Sequence, residues 1–293
     1  MDTVIKNSGS GGLLTLLLAV LTGLLPLAAG TLVAGVAGFP LRPGVAVMGG
    51  GVLAALILAA AAAREAFSPE AVRFPGFRFL SPLQARGLGY GLVALAALLG
   101  LLLQSGLHTG KMTLPLVALG ILGGYGYFAP PVKLGRRGGG EALGALCLGL
   151  GPVFWGFYLQ CGHLMTEPLL YGLPLSLAAF NLLLVHGLPV PGGAGPAEPS
   201  GLAGKLRPVS VALIFTLANI LVIAALVFDL LFPGNPLPFR AGFMGLIILA
   251  VVNQEVIKRK AYLREEGIRL LCRLSLALHL AMGLVFIISL RLR

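Results

Sequence analysis

The stretch Gly124-Tyr-Gly-Tyr-Phe-Ala-Pro-Pro-Val-Lys-Leu-Gly-Arg-Arg-Gly-Gly-Gly-Glu-Ala-Leu-Gly144 closes one apolar run and opens the next. Its Pro130-Pro131 pair ends a helix, because proline lacks the N–H that a helix interior needs and pushes the preceding residue out of helical geometry. Lys133, Arg136 and Arg137 follow. The chain then turns apolar again at Glu141, a carboxylate placed where a helix N-terminus favours negative charge. Two tyrosines at helix depth, Tyr125 and Tyr127, stand beside these cations. Together they suit a ligand with an anionic head and an apolar tail. Leu114–Phe128 before the loop and Ala142–Cys161 after it are apolar throughout, as in two membrane helices joined by a basic loop.

The rest of the chain repeats that pattern. Of 293 residues 57% are hydrophobic and 11% are charged, and the mean hydropathy is +0.97. Soluble domains carry about 25% charged residues, so a soluble enzyme, a disordered chain and a coiled coil are excluded. Nine runs have the length and apolarity of spans. They are Leu13–Val36, Val45–Ala63, Leu88–Leu107, Leu114–Phe128, Ala142–Cys161, Leu169–His186, Val209–Phe232, Ala241–Val256 and Leu270–Leu290. The first reads as a retained span, since little charge precedes it and many spans follow. The expectation is an all-α, multi-pass membrane protein of nine transmembrane helices, forming a single domain over residues 1–293.

With the N-terminus in the cytoplasm, fifteen Lys and Arg fall on the inner side and five on the outer. That asymmetry sets the orientation in a cell membrane. The net charge of +11 is therefore read as membrane orientation, and no nucleic-acid partner is expected. Four long loops, 64–87, 129–141, 187–208 and 253–269, are predicted on the cytoplasmic face and hold nearly all the Glu. Chemistry on a charged ligand is expected there. Leu80–Gly89 and Gly201–Ser210 are both basic helix starts after long loops, which suggests a duplicated four-helix module.

Other signals read as structural. Gly120 and Gly124 form a GxxxG packing face, and Gly87, Gly89 and Gly91 a small-residue stripe. The Gly135–Gly140 loop lacks the GK[ST] ending of a Walker motif but leaves its backbone N–H groups open to an anion. Cys147, Cys161 and Cys272 lack CxxC spacing and read as packing residues, and four His show no metal-ligand spacing. Trp155 and Tyr158 read as an aromatic belt.

Over Gly123–Gln160 the chain resembles the UbiA superfamily of intramembrane prenyltransferases, in particular the 1,4-dihydroxy-2-naphthoate polyprenyltransferase branch of menaquinone synthesis. The resemblance rests on Tyr125, Tyr127, Pro130-Pro131, Lys133, Gly138–Gly140, Glu141, the Gly149-Leu-Gly-Pro152 run and Gly156-Phe-Tyr-Leu-Gln160. It implies a polyprenyl diphosphate with its tail along the helices and its head at the cytoplasmic mouth. An aromatic acceptor attacks the allylic cation, and Mg²⁺ is held by Asp-rich motifs after the second and sixth helices.

Both motifs depart from the family pattern. The first reads Arg64-Glu-Ala-Phe-Ser-Pro-Glu-Ala-Val-Arg73, with Glu65 and Glu70 as its acids. The second begins at Asn181 and contains no Asp, and the chain's only Asp are Asp2 and Asp229. By carry-over, Glu65 and Glu70 are the metal candidates. Arg64, Lys133, Arg136, Arg137, Asn181 and Lys205 are the substrate-binding candidates, and Tyr125, Tyr127 and Glu141 the catalytic ones. One carboxylate with waters and substrate phosphates is enough for a single Mg²⁺, and the cations partly compensate for the missing acids. A UbiA-fold protein that binds an isoprenoid or quinone without catalysis, or serves as a subunit of a membrane complex, is the alternative. A transporter lacks the paired charges expected at mid-membrane depth. An apolar tunnel reaching Tyr127 and Lys133 is also expected.

Overall fold

The computed structural model describes residues 9–67, 77, 80–136, 138–189, 201–231 and 237–292. The helices are α1 (Gly9–Val36), α2 (Pro43–Phe67), α3 (Pro82–Leu101), α4 (Thr113–Phe128), α5 (Gly140–Leu148), α6 (Leu150–Cys161), α7 (Pro168–His186), α8 (Gly201–Lys205), α9 (Pro208–Leu231), α10 (Leu237–Lys258) and α11 (Glu265–Arg291). No strand occurs among the described residues. The protein is an all-α, multi-pass membrane bundle. Counting α5 and α6 as one span, eight helices among the described residues are long and apolar enough to cross a bilayer. The 16 residues of α4 make a ninth, shorter apolar helix, about 24 Å long at 1.5 Å per residue.

The fifth predicted run is not one helix. It breaks at Gly149 (φ −115°, ψ −85°) between α5 and α6. Pro152 has no N–H to offer Leu148, so the ladder fails there. The freed Leu150 N–H donates instead to the Ser176 hydroxyl of α7 at 2.8 Å. Glycine is required at 149, because a Cβ there would run into the backbone of Ser176. At the start of α3, Ser81 and Gln84 form a reciprocal capping box with Pro82 in the first turn.

α2, α3 with the turn that follows it, and α4 close around Val52, Leu56, Ala96, Leu103 and Val117. Gly120 and Gly124 do form a packing face, lying against Leu56 of α2. Of the predicted Gly87/Gly89/Gly91 stripe only Gly89 packs, against the Tyr125 ring, and the other two face open space. Across the bundle, α7 packs on α9 and α11, and α10 packs on the same two. α1 joins this group through His279 of α11, whose Nε2 lies 2.9 Å from the Thr22 carbonyl. That carbonyl is free because its helical partner, four residues on, is Pro26. The other ring nitrogen, Nδ1, lies 3.2 Å from the Leu175 carbonyl of α7, so the imidazole stands between two backbone oxygens.

Trp155 and Tyr158 are not a lipid-facing belt. Both are buried: the Trp155 indole donates to Gly49 O at 3.1 Å, and Tyr158 OH accepts from Met112 N at 2.9 Å. An amphipathic ring finds its polar partner equally well on a neighbouring backbone as at an interface, so residue type alone did not distinguish the two. The three cysteines are free thiols. One cleft of about 270 Å³, lined by Val33, Val36, Thr166, Glu167, Tyr171 and Leu290, opens at the end of the bundle away from Tyr127. A second lies on α11 around Arg269 and Arg273. Neither is the expected tunnel to Tyr127 and Lys133.

Candidate functional site

At the end of the bundle that carries the basic loops, five helices converge on one carboxylate. Glu141, in the first turn of α5, is 4% exposed. Its Oε1 accepts from the Ala203 N–H of α8 at 3.0 Å. Gly201 of α8 (φ +73°) and Gly187 after α7 form the wall beside this carboxylate, and a Cβ on Gly201 would overlap it. Position 201 therefore needs glycine twice over, for its left-handed backbone and for the space. Glu141 Oε2 is buried and has no hydrogen-bond partner.

Tyr127, at the end of α4, shares the electrostatic field of Glu141 and of Arg64 from α2. Its ring is enclosed by Gly135 of the basic loop and Gly144 of α5, and by Phe128 with centroids 4.8 Å apart. Arg64 Nη1 lies 3.4 Å from His186 Nε2 at the end of α7. Glu65, buried beside Arg64, adds an acid to the same neighbourhood. The site is thus a guanidinium, a phenol and an inward-facing carboxylate, with an imidazole at the rim. Such a set binds an anionic head group by charge and directional hydrogen bonds.

The remaining candidates make none of these contacts. The Tyr125 ring meets Tyr90 of α3 at 5.8 Å and Phe67 at the end of α2 at 6.4 Å, and Arg86 of α3 sits 5.0 Å over Phe67. Two residues along a helix is about 200° of rotation, so Tyr125 and Tyr127 face opposite ways. Lys133 is half-buried in the left-handed region (φ +44°), a conformation that persists only where its surroundings impose it. Lys205 is exposed at the end of α8. Asn181 is buried in α7, about 8 Å from the His186 level by helical rise. Arg137, Glu70 and the side chain of Arg136 lie outside the described residues. Sequence reasoning missed His186 as the partner of Arg64 and Gly201 as the wall of Glu141, because neither has a motif of its own.

Mg²⁺ finds few donors here. Among the described residues no three His, Cys, Asp or Glu side chains gather into a metal-binding group. Glu141 has already committed one oxygen to Ala203. A pair of Mg²⁺ sites does not fit these donors.

Solved structures of UbiA-type membrane proteins share this fold. The solved structure of a digeranylgeranylglyceryl phosphate synthase matches it with a TM-score of 0.66, over 96% of this chain and 99% of that one, at 13% identity. The apo structure of a UbiA homolog from Aeropyrum pernix K1 matches with a TM-score of 0.66 over 92% and 97%, at 15% identity. No family model matches the sequence, and no curated protein matches it. At these identities the likeness is one of fold.

Proposed function

We propose that the chain is a membrane prenyltransferase that binds a polyprenyl diphosphate at its basic end and passes the polyprenyl group to an aromatic quinone precursor. We place it in the cytoplasmic membrane with the basic loops inside. The observation that carries this reading is the convergence of Arg64, Tyr127, Glu141 and His186, from α2, α4, α5 and α7, at the mouth of a UbiA-type bundle. The resemblance around Gly123–Gln160 supports the menaquinone branch, with a dihydroxynaphthoate as acceptor.

In this reading the allylic C–O bond breaks and its electron pair leaves with the diphosphate. Arg64, with Lys133, Lys205 and the loop arginines Arg136 and Arg137, neutralises the charge that develops there. The face of the Tyr127 ring stabilises the allylic cation. A ring carbon of the acceptor bonds to the allylic carbon, and Glu141 Oε2 takes the proton that the ring sheds.

The test is radiolabelled geranylgeranyl diphosphate with 1,4-dihydroxy-2-naphthoate and protein in liposomes, with Mg²⁺ or with EDTA. A prenylated product, lost in Arg64→Ala and Glu141→Gln, is the expected outcome. Binding of the labelled diphosphate without product would leave an isoprenoid-binding protein. Neither binding nor product would end the proposal.

A further inference from the structure

The quartet α7, α9, α10 and α11 contains a polar layer that the head-group site does not use. One apolar cluster takes Ala178, Val222, Ala250 and Leu278 from these four helices, and a second takes Leu184, Phe215, Ile257 and Leu271 from the same four. Between the two, three or four residues from each, stand Asn181, Asn219, Asn253 and Ser275. A spacing of three or four keeps a residue on the same helical face. Each helix therefore presents one polar side chain to the quartet's interior at one level, with apolar layers on either side.

All four are at least 99% buried. Asn219 Nδ2 donates to Ala250 O at 2.8 Å and to Gln254 Oε1 at 3.2 Å. Six atoms in the layer have no partner: both amide atoms of Asn181, both of Asn253, Asn219 Oδ1 and Ser275 Oγ. Buried polar groups in lipid-embedded protein must be satisfied by something, since an unpaired one costs about 1–3 kcal/mol.

The chemistry of the six atoms selects the occupant. Two are amide nitrogens, three are carbonyl oxygens and one is a hydroxyl. A cation would pair with the oxygens and leave the NH₂ groups unmet, and an anion would do the reverse. The layer itself brings no carboxylate to hold a divalent ion. We infer that these side chains form a buried hydration site, occupied by a small cluster of ordered water molecules that both donate and accept. At about three hydrogen bonds per buried water, six atoms call for about two waters. The site lies about 8 Å deeper than the His186 level, and it does not depend on the prenyltransferase reading.

Water-edited solid-state NMR on ¹⁵N-labelled protein in deuterated lipid tests this. The side-chain amides of Asn181 and Asn253 are assigned by their disappearance in Asn181→Leu and Asn253→Leu, with Asn253→Ser as the milder variant should leucine prevent folding. Water magnetisation is expected to reach both amides at least about threefold faster than the backbone amides of Val222 and Leu278. Equal rates would mean a dry layer whose side chains pair with one another, and would overturn the inference. Exchanging Na⁺ for choline in the buffer should leave the signals unmoved. Shifts that follow the cation would show a bound ion instead.

Discussion

Between α1 and α6 the helices touch through their backbones. A Cβ on Gly30 would strike the Val153 carbonyl, and one on Gly156 the Leu27 carbonyl. The α7/α9/α10/α11 quartet is joined differently, by side chains in apolar layers with amides between them. Lipid tails are as apolar as leucine, so burial alone drives neither contact. The first region relies on close dispersion contact, which small residues permit, and the second on interhelical polar groups. A backbone contact leaves no room for an inserted atom, whereas a layer of side chains can be repacked.

The largest effect is therefore expected from Gly156→Leu or Gly30→Leu. Neither carbonyl can move aside, so a loss of about 3 kcal/mol or more is expected. It would be read as disappearance of the monodisperse peak in detergent gel filtration. If both variants keep that peak, the two modes of packing are less distinct than described. Next is Gly201→Ala, which combines an unfavourable backbone region with overlap on Glu141, a strain of about 1–3 kcal/mol. Prenyl transfer should fall about tenfold, an amount equivalent to 1.36 kcal/mol of transition-state free energy. Unchanged turnover would detach the glycine wall from the chemistry.

His279→Phe should cost about 2 kcal/mol, because the Thr22 carbonyl loses its partner inside the bundle. Adding Pro26→Ala supplies a backbone N–H to that same carbonyl. The double variant should thus melt above the single His279 variant in detergent, and strict additivity would refute the pairing. The smallest effect, about 1 kcal/mol, is expected for Ser176→Ala, which leaves Leu150 N–H unpaired where the two packing regions meet. A melting curve identical to that of the parent would show that the break at Gly149 needs no such support.

Hydropathy was enough to locate the spans, because the bilayer demands an apolar run of nearly constant length wherever a helix crosses it. It did not locate the break at Gly149, since Leu-Gly-Pro is as apolar as the helix on either side. Residue type placed Trp155 and Tyr158 at the lipid interface, although Gly49 O and Met112 N hold them inside. In the candidate site, Arg64, Tyr127 and Glu141 stood out as a cation, an aromatic ring and an acid at span ends. Their convergence depended on how α2, α4 and α5 pack. Tyr125 looked equivalent to Tyr127 in the sequence, and helical rotation carries it to α3 instead.

The sequence by itself determined an all-helical membrane protein with one strongly basic end, because apolar run length and the placement of Lys and Arg are local quantities. The tertiary structure alone decided which polar groups meet. Glu141 faces Ala203 across 62 positions, and His279 faces Thr22 across 257. Such pairings follow from helix crossings and rotations that no single segment encodes.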